Sequence, residues 1–248
     1  MLPESLTLED HESVADLHTF LARARAVADG EARLQAAGGV LAVYVSVLHP
    51  DTLGSGVPTV LGLRVARLLG PDSGGVDAVY PLGALTDRLA RMADGGTVLS
   101  LPPAESSAAW AGVSPPRAGW SRLGRLDDDA LAGVAAAGMR AVADALPENA
   151  GRPVLATVRS RIWSSPLGLA TVPDTAPDTV PDGTPALSET GAGAGDVPSG
   201  AAFAAWSLGF LRDGGSSVLY ANGRWRRLSS GGGHVLVRLA AVNPPGRA

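Results

Sequence analysis

The sequence predicts an α+β fold: a mainly antiparallel sheet of about six to eight strands with three or four helices packed on one face. Three observations carry this. Strand-like segments outnumber helical stripes, Asn222-Gly223 marks a tight hairpin, and the region after residue 199 is too small to hold a core of its own, so it must complete the same sheet. Parallel pairs are allowed around the two long helices.

The elements follow in order. Thr7 and Asp10 suit a capping box, after which Val14, Leu17, Leu21, Ala24 and Ala28 recur at helical spacing up to Asp29-Gly30. Residues 31–36 read as a last helical turn or a first strand. Residues 40–48 and 59–69 are rich in β-branched side chains and read as strands joined by turn residues, with 76–80 a shorter one. Leu82, Leu85, Leu89 and Met92 form one helical stripe that ends at Gly95-Gly96, before a strand at 97–101. Residues 102–126 read as ordered coil pinned by Trp110 and Trp120. A second long helix starts at Asp127 to Asp129, whose charges suit the positive dipole end, and stops at Pro147. Residues 154–163 alternate as a strand, with Val154, Ala156, Val158 and Ile162 on one face. A helix at 200–211, a hairpin turning on Asn222-Gly223 and a strand at 234–242 complete the series. That turn pairs Ala221 with Arg224, Tyr220 with Trp225 and Leu219 with Arg226.

Residues 166–199 contain no aromatic and no basic side chain, and they carry an imperfect PDT repeat followed by GAGAG. Such a segment has too little apolar surface to offset the entropy of ordering it, so a flexible insert is expected there. Residues 1–165 and 200–248 together are expected to form one domain. The insert holds five acids (Asp174, Asp178, Asp182, Glu189, Asp196); setting them aside turns the net charge of −4 into +1. The rest of the chain is nearly neutral, so no large basic field is expected, and nucleic acid is not the expected partner.

Composition closes several branches of chemistry. All 20 basic residues are arginine, and cysteine is absent. Without lysine there is no Schiff base, no Walker-A lysine and no Ser-Lys dyad. Without cysteine there is no thiol nucleophile, disulfide or iron–sulfur cluster. The first residues lack a basic, then apolar, leader, and the longest apolar run is too short to span a bilayer. A soluble, cytoplasmic protein without membrane contact is the expectation.

The histidines do not read as a metal site. His11 and His18 are seven apart, whereas adjacent ligands on a helix want three or four. No metal and no cofactor are expected. His49-Pro50-Asp51 fits a turn, and Ser229-Ser230 before His234 lacks a nucleophile elbow.

What remains is arginine beside tryptophan. Arg159, Arg161 and Trp163 alternate onto one face of their expected strand, and Arg224, Trp225, Arg226 and Arg227 decorate the hairpin. Guanidinium forks bind carboxylates or phosphates and stack on indoles, so two such ribbons side by side would make an anion-binding or partner-binding sheet surface. The first reading is therefore a non-enzymatic binding or assembly protein that recognises a protein partner or a small anionic ligand, with an exposed sheet edge through which two copies could pair. The alternatives are a hydrolase or transferase that brings His49 or His234 to Asp51 and acts on a phosphorylated or carboxylated small molecule, and a single-strand nucleic-acid binder.

Overall fold

The computed structural model describes residues 4–52, 54–70, 75–92, 95–147, 149–172 and 194–240. The chain begins with a short strand β1 (Ser5–Thr7), then helix α1 (His11–Val27), strands β2 (Glu31–Ala37), β3 (Val40–Leu48), β4 (Thr59–Arg67) and β5 (Val76–Pro81), helix α2 (Leu82–Ala90) and strand β6 (Val98–Ser100). A connector leads to β7 (Ser121–Asp127), helices α3 (Asp128–Ala145), α4 (Arg152–Trp163) and α5 (Gly200–Ser207), and strands β8 (Ser216–Asn222), β9 (Trp225–Ser230) and β10 (Gly233–Arg238). This is the expected α+β architecture, with an eight-stranded sheet in which every pairing is antiparallel. β1 and β6 form a separate two-stranded ribbon.

The strand order is β5-β2-β3-β4-β10-β9-β8-β7. It reads as two like halves meeting at the antiparallel β4–β10 pair. In each half a helix feeds the three inner strands, α1 before β2-β3-β4 and α5 before β8-β9-β10. In each half the outermost strand runs into a second helix, β5 into α2 and β7 into α3. The helices pack in pairs, α1 on α2 and α3 on α5. Alternate strand residues, among them Leu34, Val43, Val60, Leu219, Leu228 and Val235, face these helices and form the main core. Both sheet edges are partly covered: Ser106 N–H donates to Val79 O at 2.7 Å, and Arg125 and Val172 exchange backbone hydrogen bonds of 3.0 and 2.8 Å.

Helix starts are set by side chains. Asp10 caps α1 by accepting from Ser13 N at 2.7 Å, while Thr7 lies in β1 and plays no part in the cap. Asp127 caps α3, accepting from Ala130 N at 2.7 Å. The adjacent Asp128 is buried but satisfied, accepting from Ser217 Oγ at 2.6 Å and Arg212 N at 3.0 Å, which ties the start of α3 to β8.

Three sequence expectations are corrected. Residues 154–163 are helical, not a strand. Pro153 fits the first helical turn, where no amide hydrogen is needed, and Leu155, Arg159 and Trp163 recur four apart on a single helix face, a period as well met by this segment as the alternation of its β-branched residues. Arg161 consequently does not share that face; it lines a different cavity with Asp51 and Ser160. The end of the supposed coil is strand β7. The hairpin turns on Gly223-Arg224, with Asn222 opposite Trp225, Ala221 opposite Arg226, Tyr220 opposite Arg227 and Leu219 opposite Leu228. Gly223 has φ +54 at the first turn position, as a type II′ turn needs. This register buries Leu219 against Leu228, whereas the expected one places Leu219 against Arg226.

Of the segment expected as a flexible insert, 173–193 lie outside the described residues. The flanking parts are held by bonds from Leu167 N to Val197 O and from Ser199 N to Ser165 O, both 2.7 Å. The core also explains one glycine. A Cβ on Gly138, in the middle of α3, would lie 2.2 and 2.4 Å from ring atoms of Trp163, so the missing side chain is what lets α4 seat its indole. Gly133, on the exposed side of the same helix, has open space. Gly133→Ala is expected to raise stability by up to about 1 kcal/mol through helix propensity, whereas Gly138→Ala should lower it by about 1–3 kcal/mol through overpacking. Urea unfolding of the two variants reads the opposite signs.

Candidate functional site

The face of the sheet turned away from the helices carries a second, smaller core. Leu61 of β4, Leu236 of β10 and Trp225 of β9 pack with Trp110, which is supplied by the connector between β6 and β7. The connector is held across this face by several bonds. Arg33 Nη1 donates to Ala111 O and to Ser114 Oγ, both at 2.8 Å, and Asn222 Nδ2 donates to Ala118 O at 2.8 Å. Trp120 Nε1 donates to Pro116 O at 3.0 Å. Arg33 also grips Asp77 through two 2.7 Å bonds. Those hydrogen bonds raise the Arg33 pKa and hold the Asp77 carboxyl below the usual carboxylate range.

Beside the connector, at the β4–β10 seam, lies a groove of about 400 Å³. Tyr44, Leu63 and Leu236 supply apolar surface, and Pro116 and Trp120 form a connector wall. Arg227 lies between two rings, its guanidinium carbon 4.8 Å from the centroid of Trp120 and 4.5 Å from that of Tyr220. Among the described residues its buried Nε has no hydrogen-bond partner, and no carboxylate contacts it. No acidic side chain lines the groove among the described residues. His234 lines the groove with this cation, its Nδ1 3.0 Å from Ser229 Oγ. Burial first, then the positive charges of Arg227 and Arg64, keep the His234 pKa below its ordinary 6.5. Burial likewise pushes the Tyr44 hydroxyl up. With Arg117 also in its lining, the groove offers cations and neutral donors to an oxyanion.

The structure does not bring the seven sequence-selected residues together. Arg227 alone of them lines the groove. Trp225 is buried beneath the connector, and Arg224 lies at the turn, donating from Nε to Leu239 O at 3.2 Å. Arg226 points to the helical side, where it is buried, ion-paired to Asp196, and donates to Gly223 O at 2.8 Å. Arg159 and Trp163 belong to the helical layer, where Trp163 stacks on Phe203. Arg161 is exposed elsewhere on α4. The single Arg/Trp ribbon surface is therefore replaced by a groove whose other members, among them Tyr44, Arg117, Trp120 and His234, come from separate strands and the connector, with Tyr220 against Arg227 behind it. Only the hairpin register could have pointed to Tyr220, which faces Arg227 across the ladder.

The histidine constellation weighed for catalysis is likewise not assembled. His234 lines the groove, Asp51 lines a separate cavity against α4, and His49 is exposed with Nδ1 2.8 Å from Ser46 Oγ. Among the described residues no group of three or more His, Asp or Glu side chains could hold a metal ion, and no helix is long and apolar enough to cross a membrane. Because the His234 pKa is lowered on folding, the unfolded chain takes up the proton first as pH falls. Stability is thus expected to decline once the pH drops below about 6.5, and His234→Gln should show a shallower decline between about pH 7 and pH 5 in urea titrations.

Residues 1–112 match the family model described as "Domain of unknown function (DUF8010)", and residues 115–242 match that described as "Domain of unknown function (DUF8185)". The two meet within the connector, so that β1 to β6 fall in the first and β7 to β10 in the second. No curated protein matches the chain. Among solved structures, a DNA polymerase sliding clamp from Caulobacter crescentus is similar with a TM-score of 0.48 at 13% identity, covering 98% of this chain and 67% of that one. A Caulobacter crescentus pol III beta structure is similar with a TM-score of 0.48 at 14% identity, covering 97% and 67%. This chain thus spans about two thirds of the length of those clamps. Matched over more than half its length by one model, the chain belongs to the family described as "Domain of unknown function (DUF8185)".

Proposed function

We propose that this is a binding protein whose outer groove recognises a ligand through a carboxylate or phosphate oxyanion. The observation that carries the reading is Arg227, its guanidinium over the rings of both Trp120 and Tyr220 and without a carboxylate contact among the described residues. An arginine fixed by rings keeps its charge and its planar fork while losing little further freedom on binding, so its affinity for an oxyanion is pre-organised. The apolar floor from Tyr44, Leu63 and Leu236 favours an anion attached to an organic body over a bare ion. Because β3 and β4 come from one half and β9 and β10 from the other, an occupant would bridge the seam and brace the two halves together.

A thermal-shift series on the full chain with inorganic phosphate, citrate and ATP, against chloride at matched ionic strength, tests this. At a concentration about 100 times Kd, an oxyanion that fits should raise Tm by about 5–10 °C. Arg227→Gln and Trp120→Leu should each abolish the rise. If no oxyanion raises Tm, or the rise survives Arg227→Gln, the groove is not the site.

A further inference from the structure

The helical side holds a second cavity, of about 440 Å³, walled by all three of α1, α4 and α5 together with α3. Its walls are mostly apolar: Val27 from α1, Met139 and Val142 from α3, and Leu155 from α4. One side is the Trp163–Phe203 pair, stacked with centroids 4.3 Å apart and planes within 16°. Trp206 leaves 46% of its surface exposed beside them, a large apolar area with no covering element among the described residues.

Two cations interrupt this apolar lining. Arg159 occupies the same helix face as Leu155 and Trp163, one turn from each, so the helix itself directs it to the cavity. Its only hydrogen bond among the described residues runs from Nη1 to Val27 O at 3.3 Å, and its guanidinium carbon lies 5.8 Å from the Phe203 centroid. Burial pulls its pKa below the usual arginine value, and no acid there opposes that pull. Arg23, on α1, likewise donates among the described residues only to a backbone carbonyl, Leu208 O at 3.3 Å. Neither arginine contacts a carboxylate among the described residues, in contrast to Arg33, Arg64 and Arg226, each of which holds an aspartate. A half-buried guanidinium bonded to one long carbonyl contact retains donors that a carboxylate can take in pairs.

We infer that this cavity binds a small amphipathic acid, its apolar body lying among the four helices and its single carboxylate received by Arg159 with Arg23 at the rim. The apolar walls select the body, since burying aliphatic or aromatic surface there releases water from both sides. The carboxylate is selected because an anion offsets a cation that the protein itself leaves unpaired. This site is separate from the outer groove, on the other side of the sheet, and does not depend on it.

The test is calorimetric titration of the full chain with decanoate, with tryptophan fluorescence as a second readout, using decan-1-ol as the uncharged counterpart. Decanoate should bind in the micromolar to submillimolar range, at least about tenfold more tightly than decan-1-ol. Arg159→Gln should weaken decanoate about tenfold or more and leave decan-1-ol unaffected, while Val142→Trp, which fills the space and leaves both arginines in the chain, should block both ligands. Arg140→Gln, an exposed change on α3 that removes the same charge, should bind as wild type. Circular dichroism establishes that each variant is folded before it is titrated. Absence of decanoate binding at about 5 mM, equal affinity for decan-1-ol, or wild-type affinity in Arg159→Gln would each overturn the proposal.

Discussion

The pairing of β4 with β10 is the contact on which the rest depends. Residues 59–63 and 234–238 are separated by 171 or more positions in the chain, yet their register places Leu61 beside Leu236 and Val60 beside Val237 at the centre of one continuous sheet. The fit is close on the helical side as well. Gly62 lies opposite Val235, and a Cβ there would fall 2.2 Å from Leu208 Cδ1, so the bare backbone lets the residue after α5 rest directly over the seam. Such a contact carries a large loop-closure cost, which the buried apolar rows on both faces of the seam must offset.

Once the seam closes, the two faces acquire different characters. On the helical side the strands present small and branched apolar residues to α1, α2, α3 and α5, and the main core is continuous across both halves. On the other side the connector lies against Leu61, Trp225 and Leu236 and leaves the neighbouring strip of β3, β4, β9 and β10 as an open groove. The groove is therefore a consequence of the connector covering only part of a face that both halves share.

The arginines divide by what holds them. Arg33, Arg64 and Arg226 are tied to Asp77, Asp16 and Asp196 and serve the structure, fixing the connector, α1 and the segment before α5. Arg227 and Arg159 are held by rings, an apolar wall or a backbone carbonyl, and keep their capacity to accept an anion. In a chain whose basic residues are all arginine, charge count carries little information about binding; the absence of a local acid carries more.

Periodicity in the sequence determined the fold class, the two long helices and strands β3, β4 and β5, because these rest on neighbours within a few residues of one another, whereas the cap of α1 falls on Asp10 itself and not on a Thr7–Asp10 box. The same local evidence was ambiguous for residues 154–163, whose β-branched side chains alternate while Leu155, Arg159 and Trp163 also repeat every four; packing of the indole against Gly138 and Phe203 resolved it as a helix. The hairpin was legible as a hairpin, but its register was decided by burial of Leu219 against Leu228, and that shift is what places Tyr220 beside Arg227. Only the tertiary structure could decide that Arg33, Arg64 and Arg226 are paired while Arg227 and Arg159 are left open, since the aspartates that neutralise those three lie at least thirty positions away in the chain and meet them only when the sheet and its helices have assembled.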